Sequence, residues 1–280
     1  SSDDTEITYH VSSGTGPWVV LFNAFGANLE TWRHQVEYLG DQCRFITWEY
    51  RGLQEAQPDQ DRLISASVAD HIRDLCAVLE AEHISSATWM AWSAGVHIAL
   101  ETLRTTDHRP KNLIFLNGLF GISAFSSSHL SVPRALAWRG LTRLGHLHNV
   151  FESAIRRAAQ WPETVSWLKR TGVVGPTVDS AALEQHFGQL SKLDLRSYML
   201  ALRELRRIDV AAIMETVKVP TLIVIGEKDM FTPRSLADRM ARRIANAEIF
   251  VIRGATHYSA LEFPELTNLR LEKFFREHGA

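Results

Sequence analysis

Three residues in this chain have the side chains that nucleophilic catalysis requires, and each lies in a short segment that contains glycine. Ser93 occurs in Ala-Trp-Ser-Ala-Gly, Asp229 in Gly-Glu-Lys-Asp, and His257 in Gly-Ala-Thr-His. A histidine can remove the proton from a serine hydroxyl, and a carboxylate can hold that imidazole in its productive tautomer. The chain order serine, acid, histidine therefore predicts attack on a carbonyl carbon by Ser93, supported by the other two residues.

Ser93 lies where an apolar strand is predicted to end and an amphipathic helix to begin. A nucleophilic serine needs a tight turn that exposes its hydroxyl, small neighbours that let strand and helix approach, and a backbone N–H near the reacting oxygen. Ala91 and Gly95 are small enough, although Ala91 departs from the usual pattern G-x-S-x-G. The alternative is that Ser93 only caps the helix, since serine is also a favoured capping residue.

Asp229 and His257 each follow a later apolar strand, so both are expected in loops at the carboxyl edge of a parallel sheet. Active sites of α/β proteins gather at that edge, where the two side chains can meet Ser93. Asp229 could instead be a turn residue that caps the helix near Pro233. Three other histidines fall in helical patterns and are predicted to be surface or core residues: His71, His97 and His186.

Short apolar runs alternate with amphipathic segments through the first half of the chain and again near its end. Continuous apolar runs are typical of strands buried on both faces of a parallel sheet. The predicted strands are 18–22, 44–48, 87–92, 112–117, 220–225 and 248–252. The predicted helices among them are 29–39, 66–79, 94–103, 235–244 and a terminal helix to residue 277. This rhythm predicts an α/β fold with a mostly parallel sheet flanked by helices.

The middle of the chain has a different pattern, with helical spacing and no strand-like run. Helices are predicted there at 134–144, 150–159, 164–169, 181–190 and 195–206. The simplest organisation is an α/β core of residues 1–120 and 213–280, interrupted by an all-helical cap of residues 121–212. The cap carries 12 Lys/Arg and 7 Asp/Glu, a net charge of +5, which leaves −7 on the core.

The composition excludes several classes of protein. The chain has 280 residues, 45% hydrophobic and 22% charged, with a formal net charge of −2. No run approaches the roughly 18 apolar residues of a membrane span, and the near-zero charge gives no basic footprint for nucleic acid. Cys43 and Cys76 are too few for a disulfide framework, and no HExxH pattern occurs. We therefore expect no metal, no cofactor and no nucleic-acid partner.

The sparse cysteines favour a cytoplasmic location, although the chain begins at Ser1 and a leader could have been removed.

Several segments together resemble the α/β-hydrolase superfamily over nearly the whole chain. They are residues 22–32 and 49–52 after two early strands, the segment around Ser93, the segment ending at Asp229, and His257 with Glu262 and Pro264 downstream. The chain looks most like the group of single-chain esterases, C–C hydrolases and cofactor-free haloperoxidases. In that group an all-helical cap is inserted after the sixth strand, which is the place of residues 121–212 here.

The resemblance assigns a role to each residue of these motifs. It implies that Ser93 is the nucleophile, that His257 is the general base and acid, and that Asp229 is the acid that orients the imidazole. Some members carry the acid after the sixth strand instead. The residue near that position here is Asn117, whose amide cannot serve as the acid.

The resemblance also implies an oxyanion hole formed by the backbone N–H groups of Phe25 and Ala94. Loss of one such donor commonly costs on the order of 2.7 to 4 kcal/mol of transition-state stabilisation. Relatives usually have His-Gly before the first donor, whereas this chain has Asn23-Ala24. Because asparagine can hydrogen-bond to backbone groups, we expect a functional hole with an altered geometry.

The expected activity is that of a carboxylesterase-like serine hydrolase, which cleaves an ester, thioester or lactone with an apolar moiety through an acyl-enzyme. The expected partner is a small-molecule substrate, and the protein is expected to be a monomer or a homodimer. The candidates for the substrate pocket are Asn23, Trp92, Phe120, Phe125, Trp138, Met230 and Tyr258.

Two alternatives stay open. One is a C–C bond hydrolase that uses the same three residues. The other is a hydrolase-like protein that binds a small ligand with vestigial turnover, and the altered Asn23-Ala24 loop favours this alternative.

Overall fold

The computed structural model describes residues 1–53, 67–118, 163–192, 195–205 and 207–280, with the helix but not the side chains at 195–197 and 199. The helices predicted at 134–144 and 150–159 lie outside the described residues. The described strands are β1 (Tyr9–Val11), β2 (Trp18–Phe22), β3 (Arg44–Trp48), β4 (Ala87–Trp92), β5 (Leu113–Leu116), β6 (Thr221–Gly226) and β7 (Ala247–Ile252).

The seven strands form one sheet in the order β1-β3-β2-β4-β5-β6-β7. All neighbouring pairs are parallel except β1 and β3. In the centre of the sheet, Ala91 of β4 is in register with Phe22 of β2 and Phe115 of β5. The carboxyl ends of β2, β4, β5, β6 and β7 therefore point to the same edge, and the predicted α/β fold is confirmed.

Helices cover both faces of the sheet. The described helices are α1 (Arg33–Leu39), α2 (Val68–Ala81), α3 (Ala94–Thr105), α4 (Thr164–Thr171), α5 (Ser180–Ser191), α6 (Leu195–Leu205), α7 (Ala211–Thr216), α8 (Arg234–Arg243), α9 (Ser259–Glu262) and α10 (Pro264–His278). A 3₁₀ helix at Leu29–Trp32 precedes α1. Among the described residues, no helix is both long and apolar enough to cross a membrane.

The strands read as continuous apolar runs because both faces of the sheet are buried. Val20 and Phe22 of β2 pack into one core with α2, α3 and α8, whereas Val19 and Leu21 pack into a second core with α1 and α10. Side chains of α4 and α5, which belong to the predicted cap, join the second core, and Val165 is an example. The described part of the cap is therefore packed onto the sheet domain rather than detached from it.

The structure departs from the predicted elements in four places. β1 was not predicted, because three half-exposed residues carry almost no hydrophobic pattern. The predicted helix 29–39 is divided into the 3₁₀ helix and α1, and the short helices α7 and α9 were also missed. Among the described strands, the predicted cap of residues 121–212 lies between β5 and β6.

Candidate active site

Ser93 occupies a sharp turn between β4 and α3. Its backbone has φ +53° and ψ −115°, a left-handed conformation that serine rarely adopts. The turn is held because the Ser93 N–H donates a hydrogen bond to the Leu116 carbonyl of β5 at 3.0 Å, and because the Val96 N–H donates to the Ser93 carbonyl. The side chain is only half-buried, so its hydroxyl faces the carboxyl edge of the sheet. Such local strain is typical of functional positions.

Gly95 allows α3 to approach β2 closely. A Cβ atom at this position would lie 2.2 Å from the Phe22 carbonyl oxygen and 2.7 Å from that of Asn23. Those distances are too short for any side chain, so the first turn of α3 can pack this closely against β2 only with a glycine at position 95. Ala91 is fully buried, which agrees with the small volume that the sequence predicted for this position.

We expect Gly95→Ala to destabilise the protein by about 3 kcal/mol or more, because the new methyl group meets backbone atoms of the central sheet. Gly188→Ala is the matched control. Gly188 lies inside α5, where a Cβ would meet nothing within 4 Å, so alanine should stabilise that helix by about 0.5–1 kcal/mol. Urea unfolding measures both changes, and the same midpoint for the two variants would contradict the close approach.

Asp229 lies in the loop after β6, and its carboxylate is buried. One oxygen accepts hydrogen bonds from the backbone N–H groups of Phe231 and Thr232, both at 2.8 Å. The other accepts from the Thr232 hydroxyl and, at 2.7 Å, from the Asn117 amide. Burial alone would raise the pKa of the Asp229 carboxyl, but His257 and the hydrogen bonds from Thr232 outweigh burial and lower that pKa. Asp229 is therefore ionised at neutral pH.

His257 connects Asp229 to Ser93 through both ring nitrogens. Its Nδ1 lies 2.8 Å from Oδ2 of Asp229, and its Nε2 lies 2.9 Å from Oγ of Ser93. Because an ionised carboxylate can only accept, Nδ1 carries the proton and Nε2 accepts a hydrogen bond from the Ser93 hydroxyl. In this tautomer the imidazole can take the serine proton. The structure thus brings the three sequence-predicted residues into direct hydrogen-bond contact.

Asn117 has a role that the sequence did not predict. It follows β5 with φ +46°, and its amide group donates to the Thr256 carbonyl at 3.2 Å as well as to Asp229. Its side-chain oxygen accepts a hydrogen bond from the Ser259 hydroxyl. Asn117 therefore links the acid loop to the residues on both sides of His257.

Glu262 holds the same histidine loop from the other side. Its buried carboxylate accepts hydrogen bonds from the Thr256 N–H at 2.6 Å and from the Thr256 hydroxyl. It also accepts from the Gly175 N–H at 2.6 Å, and a Cβ at Gly175 would lie only 2.9 Å from that carboxyl group. Because residue 175 belongs to the predicted cap, Glu262 joins the cap to the loop that carries His257.

The predicted oxyanion loop forms a tight turn after β2. The Ala27 N–H donates to the Ala24 carbonyl at 2.9 Å, and Gly26 has φ +79°, as the third position of a type II turn requires. Neither the Phe25 N–H nor the Ala94 N–H donates a hydrogen bond to any described residue. The Ala94 N–H lies at the N-terminus of α3, where the first N–H groups of a helix have no partner within the helix.

Asn23, one of the predicted pocket residues, is buried, and its side chain is used in hydrogen bonds within the protein. Its side-chain amide donates to the Thr47 hydroxyl at 2.7 Å and to the Trp48 carbonyl at 3.3 Å, and its side-chain oxygen accepts from the Trp32 indole at 2.9 Å. The Tyr50 hydroxyl donates to the Asn23 carbonyl at 3.0 Å. Because these partners use both ends of the amide, the buried side chain ties the predicted oxyanion loop to β3 and the 3₁₀ helix.

We expect Asn23→Ala to lower kcat by about 10-fold to 100-fold while KM changes little, because displacement of the Phe25 N–H weakens only the transition state. Asn112→Ala is the matched control. Asn112 is a buried asparagine at the amino end of β5, where it donates to Thr88 and Gly279. Its loss should reduce stability and leave kcat unchanged. Steady-state kinetics on both variants provides the comparison. A kcat for Asn23→Ala equal to that of Asn112→Ala would contradict the role of Asn23 in positioning the Phe25 N–H.

The other pocket candidates have different positions. Trp92 is buried, and its indole N–H donates to the His257 carbonyl at 3.2 Å, so it supports the histidine. Tyr258 is also buried, with its ring 5.9 Å from that of His257. Met230 is half-buried in the acid loop. The remaining candidates lie outside the described residues: Phe120, Phe125 and Trp138.

Three aromatic residues near the site were not among the pocket candidates. Phe231 is half-exposed, with its ring 5.3 Å from that of His257. Tyr198 of α6 contacts the ring of Phe25 at 5.9 Å. His186 of α5 contacts the ring of Trp92 at 5.4 Å, although its helical pattern predicted only a surface or core residue. Phe231 and His186 were not predicted to line the pocket, because each reaches the site through the packing of separate elements.

The described residues contain one group of side chains close enough to bind a metal ion, formed by Glu248, Glu277 and His278. All three are exposed. Glu248 lies at the amino end of β7, at the opposite edge of the sheet from Ser93. The group is therefore unrelated to the candidate active site.

This combination of a strand–serine–helix turn, a buried acid and a bridging histidine at one sheet edge defines a class of protein. The sequence matches the model of the alpha/beta hydrolase fold over residues 17–264, and the chain belongs to this family.

Curated relatives and solved structures agree with the family. The putative carbamate hydrolase RutD of Azorhizobium caulinodans is 22% identical over 275 residues, covering 98% of this chain and 96% of that protein. The karrikin insensitive 2 receptor IA of Petunia hybrida is 23% identical, covering 93% and 91%. The structure of a thermophilic esterase from Thermogutta terrifontis superposes with a TM-score of 0.70 at 18% identity, covering 98% and 94%. The relatives thus include hydrolases and a receptor.

Proposed function

We propose that the protein is a serine hydrolase that cleaves a carboxylic ester, thioester or lactone through an acyl-enzyme. One observation carries the proposal: the hydrogen bonds from Ser93 to His257 and from His257 to the ionised Asp229 run in one unbroken series at 2.9 and 2.8 Å. A binding pocket alone has no need for this arrangement. Hydrolases among the relatives support the same reaction class.

Acylation begins when the Ser93 oxygen attacks the substrate carbonyl carbon and Nε2 of His257 takes the hydroxyl proton. Asp229 stabilises the resulting imidazolium and keeps its ring in place. The negative charge on the carbonyl oxygen is stabilised by the N–H groups of Phe25 and Ala94. The tetrahedral intermediate collapses, the leaving group receives the proton from His257, and the acyl group stays on Ser93.

Deacylation repeats these steps with water as the nucleophile. His257 takes a proton from the water, the hydroxide attacks the acyl carbon, and the Ser93 oxygen receives the proton as the acid product leaves. Residues 121–212 would act as the cap over this site and select the substrate. The aromatic rings of Tyr198, Phe231 and Tyr258 support a pocket for an apolar acyl or alcohol group.

Hydrolysis of p-nitrophenyl esters by wild-type protein and by Ser93→Ala tests the proposal. We expect wild-type turnover to be abolished by the substitution, and octanoyl esters to be preferred over acetyl esters. Unchanged hydrolysis in Ser93→Ala would contradict the assignment of the nucleophile, and a preference for acetyl esters would contradict the apolar pocket.

A second candidate function is ligand binding with vestigial turnover, which the receptor among the relatives favours. This candidate predicts saturable binding of a ligand. It also predicts that wild-type protein hydrolyses esters no faster than Ser93→Ala does. C–C bond hydrolysis uses the same three residues and is distinguished by turnover of a diketone in place of an ester.

A further inference from the structure

His186 brings a polar nitrogen from the cap to the aromatic wall of the candidate site. It lies on α5, which packs against the 3₁₀ helix Leu29–Trp32 beyond the oxyanion loop. Its ring lies 5.4 Å from the ring of Trp92 and 5.9 Å from that of Tyr258. The rings of Trp92 and Tyr258 each lie 5.9 Å from the ring of His257. His186 is thus one side chain away from the catalytic imidazole.

One ring nitrogen of His186, Nδ1, is not explained by the packing of the described residues around it. The residue is 4% exposed, and its Nδ1 is buried without a hydrogen-bond partner among the described residues. A buried polar atom that lacks a partner destabilises the folded state. A phenylalanine would provide the same ring contacts without that cost. The imidazole therefore points to a partner that arrives with a ligand.

The charge state of His186 limits what that ligand can be. Burial, together with the nearby His257, lowers the pKa of His186 to about 4, so its imidazole is neutral at pH 7. A neutral imidazole can donate or accept a hydrogen bond, but it cannot balance the charge of a carboxylate. Burial chiefly raises the pKa of the neighbouring Tyr258 hydroxyl, and Tyr198 and the Asp229 and Glu262 carboxylates raise it further. A further anion at this wall would be repelled by the same charges.

We propose that His186 determines substrate specificity by hydrogen-bonding to an uncharged oxygen, a carbonyl or hydroxyl, in the acyl or alcohol part of the substrate. The substrate class is then an uncharged, oxygenated ester or lactone rather than a plain alkyl ester or a dicarboxylic half-ester. This inference rests on the proposed function, because it concerns the specificity of the same site.

Matched esters test the inference. The test uses p-nitrophenyl hexanoate, its 4-oxo and 5-oxo analogues, and the anionic half-ester p-nitrophenyl adipate. We expect wild-type protein to have about tenfold higher kcat/KM for at least one oxo-ester than for the hexanoate, since one hydrogen bond to a buried group is worth about 1.4 kcal/mol. The adipate should be the poorest substrate.

The variants separate specificity from a structural role. His186→Phe should reduce the oxo-ester preference to within about twofold, and His186→Gln should keep part of it. His97→Phe is the matched control, because His97 is also a buried imidazole with unpartnered nitrogens, and it should leave the preference unchanged. His186→Phe should also keep or raise Tm, because it removes an unpartnered polar atom. A fall in Tm with an unchanged preference would mean that His186 is structural, and would overturn the inference.

Binding to Ser93→Ala keeps this test independent of turnover. Calorimetry should give a lower Kd for the preferred oxo-ester than for the hexanoate, and His186→Phe in the same background should remove the difference. Equal Kd values, or a difference that survives His186→Phe, would overturn the role of His186 even if the protein is a serine hydrolase. Selective binding that depends on His186, without wild-type turnover, would instead contradict only the proposed function.

Discussion

Asp229→Asn is expected to lower kcat on the order of 10⁴-fold while the protein stays folded. The carboxylate accepts hydrogen bonds from five donors, and asparagine has one acceptor oxygen in place of two. That oxygen will keep the hydrogen bonds from the N–H groups of Phe231 and Thr232. Its NH₂ group will then face Nδ1 of His257, which must give up its proton to accept. The proton moves to Nε2, and that nitrogen can no longer take the proton of Ser93.

The control for this variant is Asp238→Asn. Asp238 is a surface carboxylate of α8 that pairs with Arg234, and its loss should leave kcat unchanged. Steady-state kinetics across pH 7 to 9 distinguishes the two. If Asp229→Asn stays within about tenfold of the wild-type kcat, the carboxylate does not set the tautomer and the assignment of the acid is wrong.

The second large effect is a steep loss of stability in mild acid, caused by buried histidines. Burial lowers the pKa values of His71, His97 and His186 to about 4, and the adjacent carboxylates of Asp70 and Asp74 only partly offset this for His71. The unfolded chain takes up protons on these residues near its ordinary value of 6.5, whereas the folded chain does not. The free energy of unfolding therefore has its full value above pH 6.5 and decreases as pH falls towards 4. Between pH 7.5 and 5 each histidine should cost about 2 kcal/mol.

Urea unfolding at pH 7.5 and at pH 5 measures this loss. Three such histidines together cost about 6 kcal/mol, which is comparable to the total stability of a typical domain. His97→Gln should reduce the slope of the free energy of unfolding against pH by about 1 kcal/mol per pH unit near pH 5, because it removes one group that takes up a proton on unfolding. His83→Asn replaces an exposed histidine and should leave the dependence unchanged. The same slope in wild-type protein and His97→Gln would contradict the origin of the effect.

The sheet was predictable from the sequence because its strands are apolar on both faces. The predicted bounds of 18–22, 44–48 and 87–92 agree with the structure, and the other three predicted strands differ from it by one or two residues. The same property explains why β1 was missed. Tyr9–Val11 pairs only with β3 at the edge of the sheet, so its side chains carry no continuous apolar signal.

The meeting of Ser93, Asp229 and His257 was also predictable, because each follows a strand whose carboxyl end faces one edge of the sheet. The residues that hold them in place were not. Asn117 and Glu262 reach the histidine loop through hydrogen bonds between segments that are distant in the chain. Asn23 was a pocket candidate, and the sequence could not show that its hydrogen-bond partners lie on β3 and the 3₁₀ helix.

His186 was underestimated for a related reason. Its position in a helical pattern is the same as that of an ordinary core histidine such as His97. Only the packing of α5 against Trp92 and Tyr258 brings it to the site. Helical periodicity predicts which face of a helix is buried, but not which other element it is buried against.

The central claim is that Ser93 is the nucleophile, made reactive by His257 and Asp229. The most direct measurement is labelling of the folded protein with a fluorophosphonate, with the adduct located by peptide mass spectrometry. We predict one phosphonyl group per chain, on Ser93, with no adduct in Ser93→Ala and much slower labelling in Asp229→Asn. A folded wild-type protein that gives no adduct on Ser93, or labelling that persists equally in Ser93→Ala, would contradict the claim.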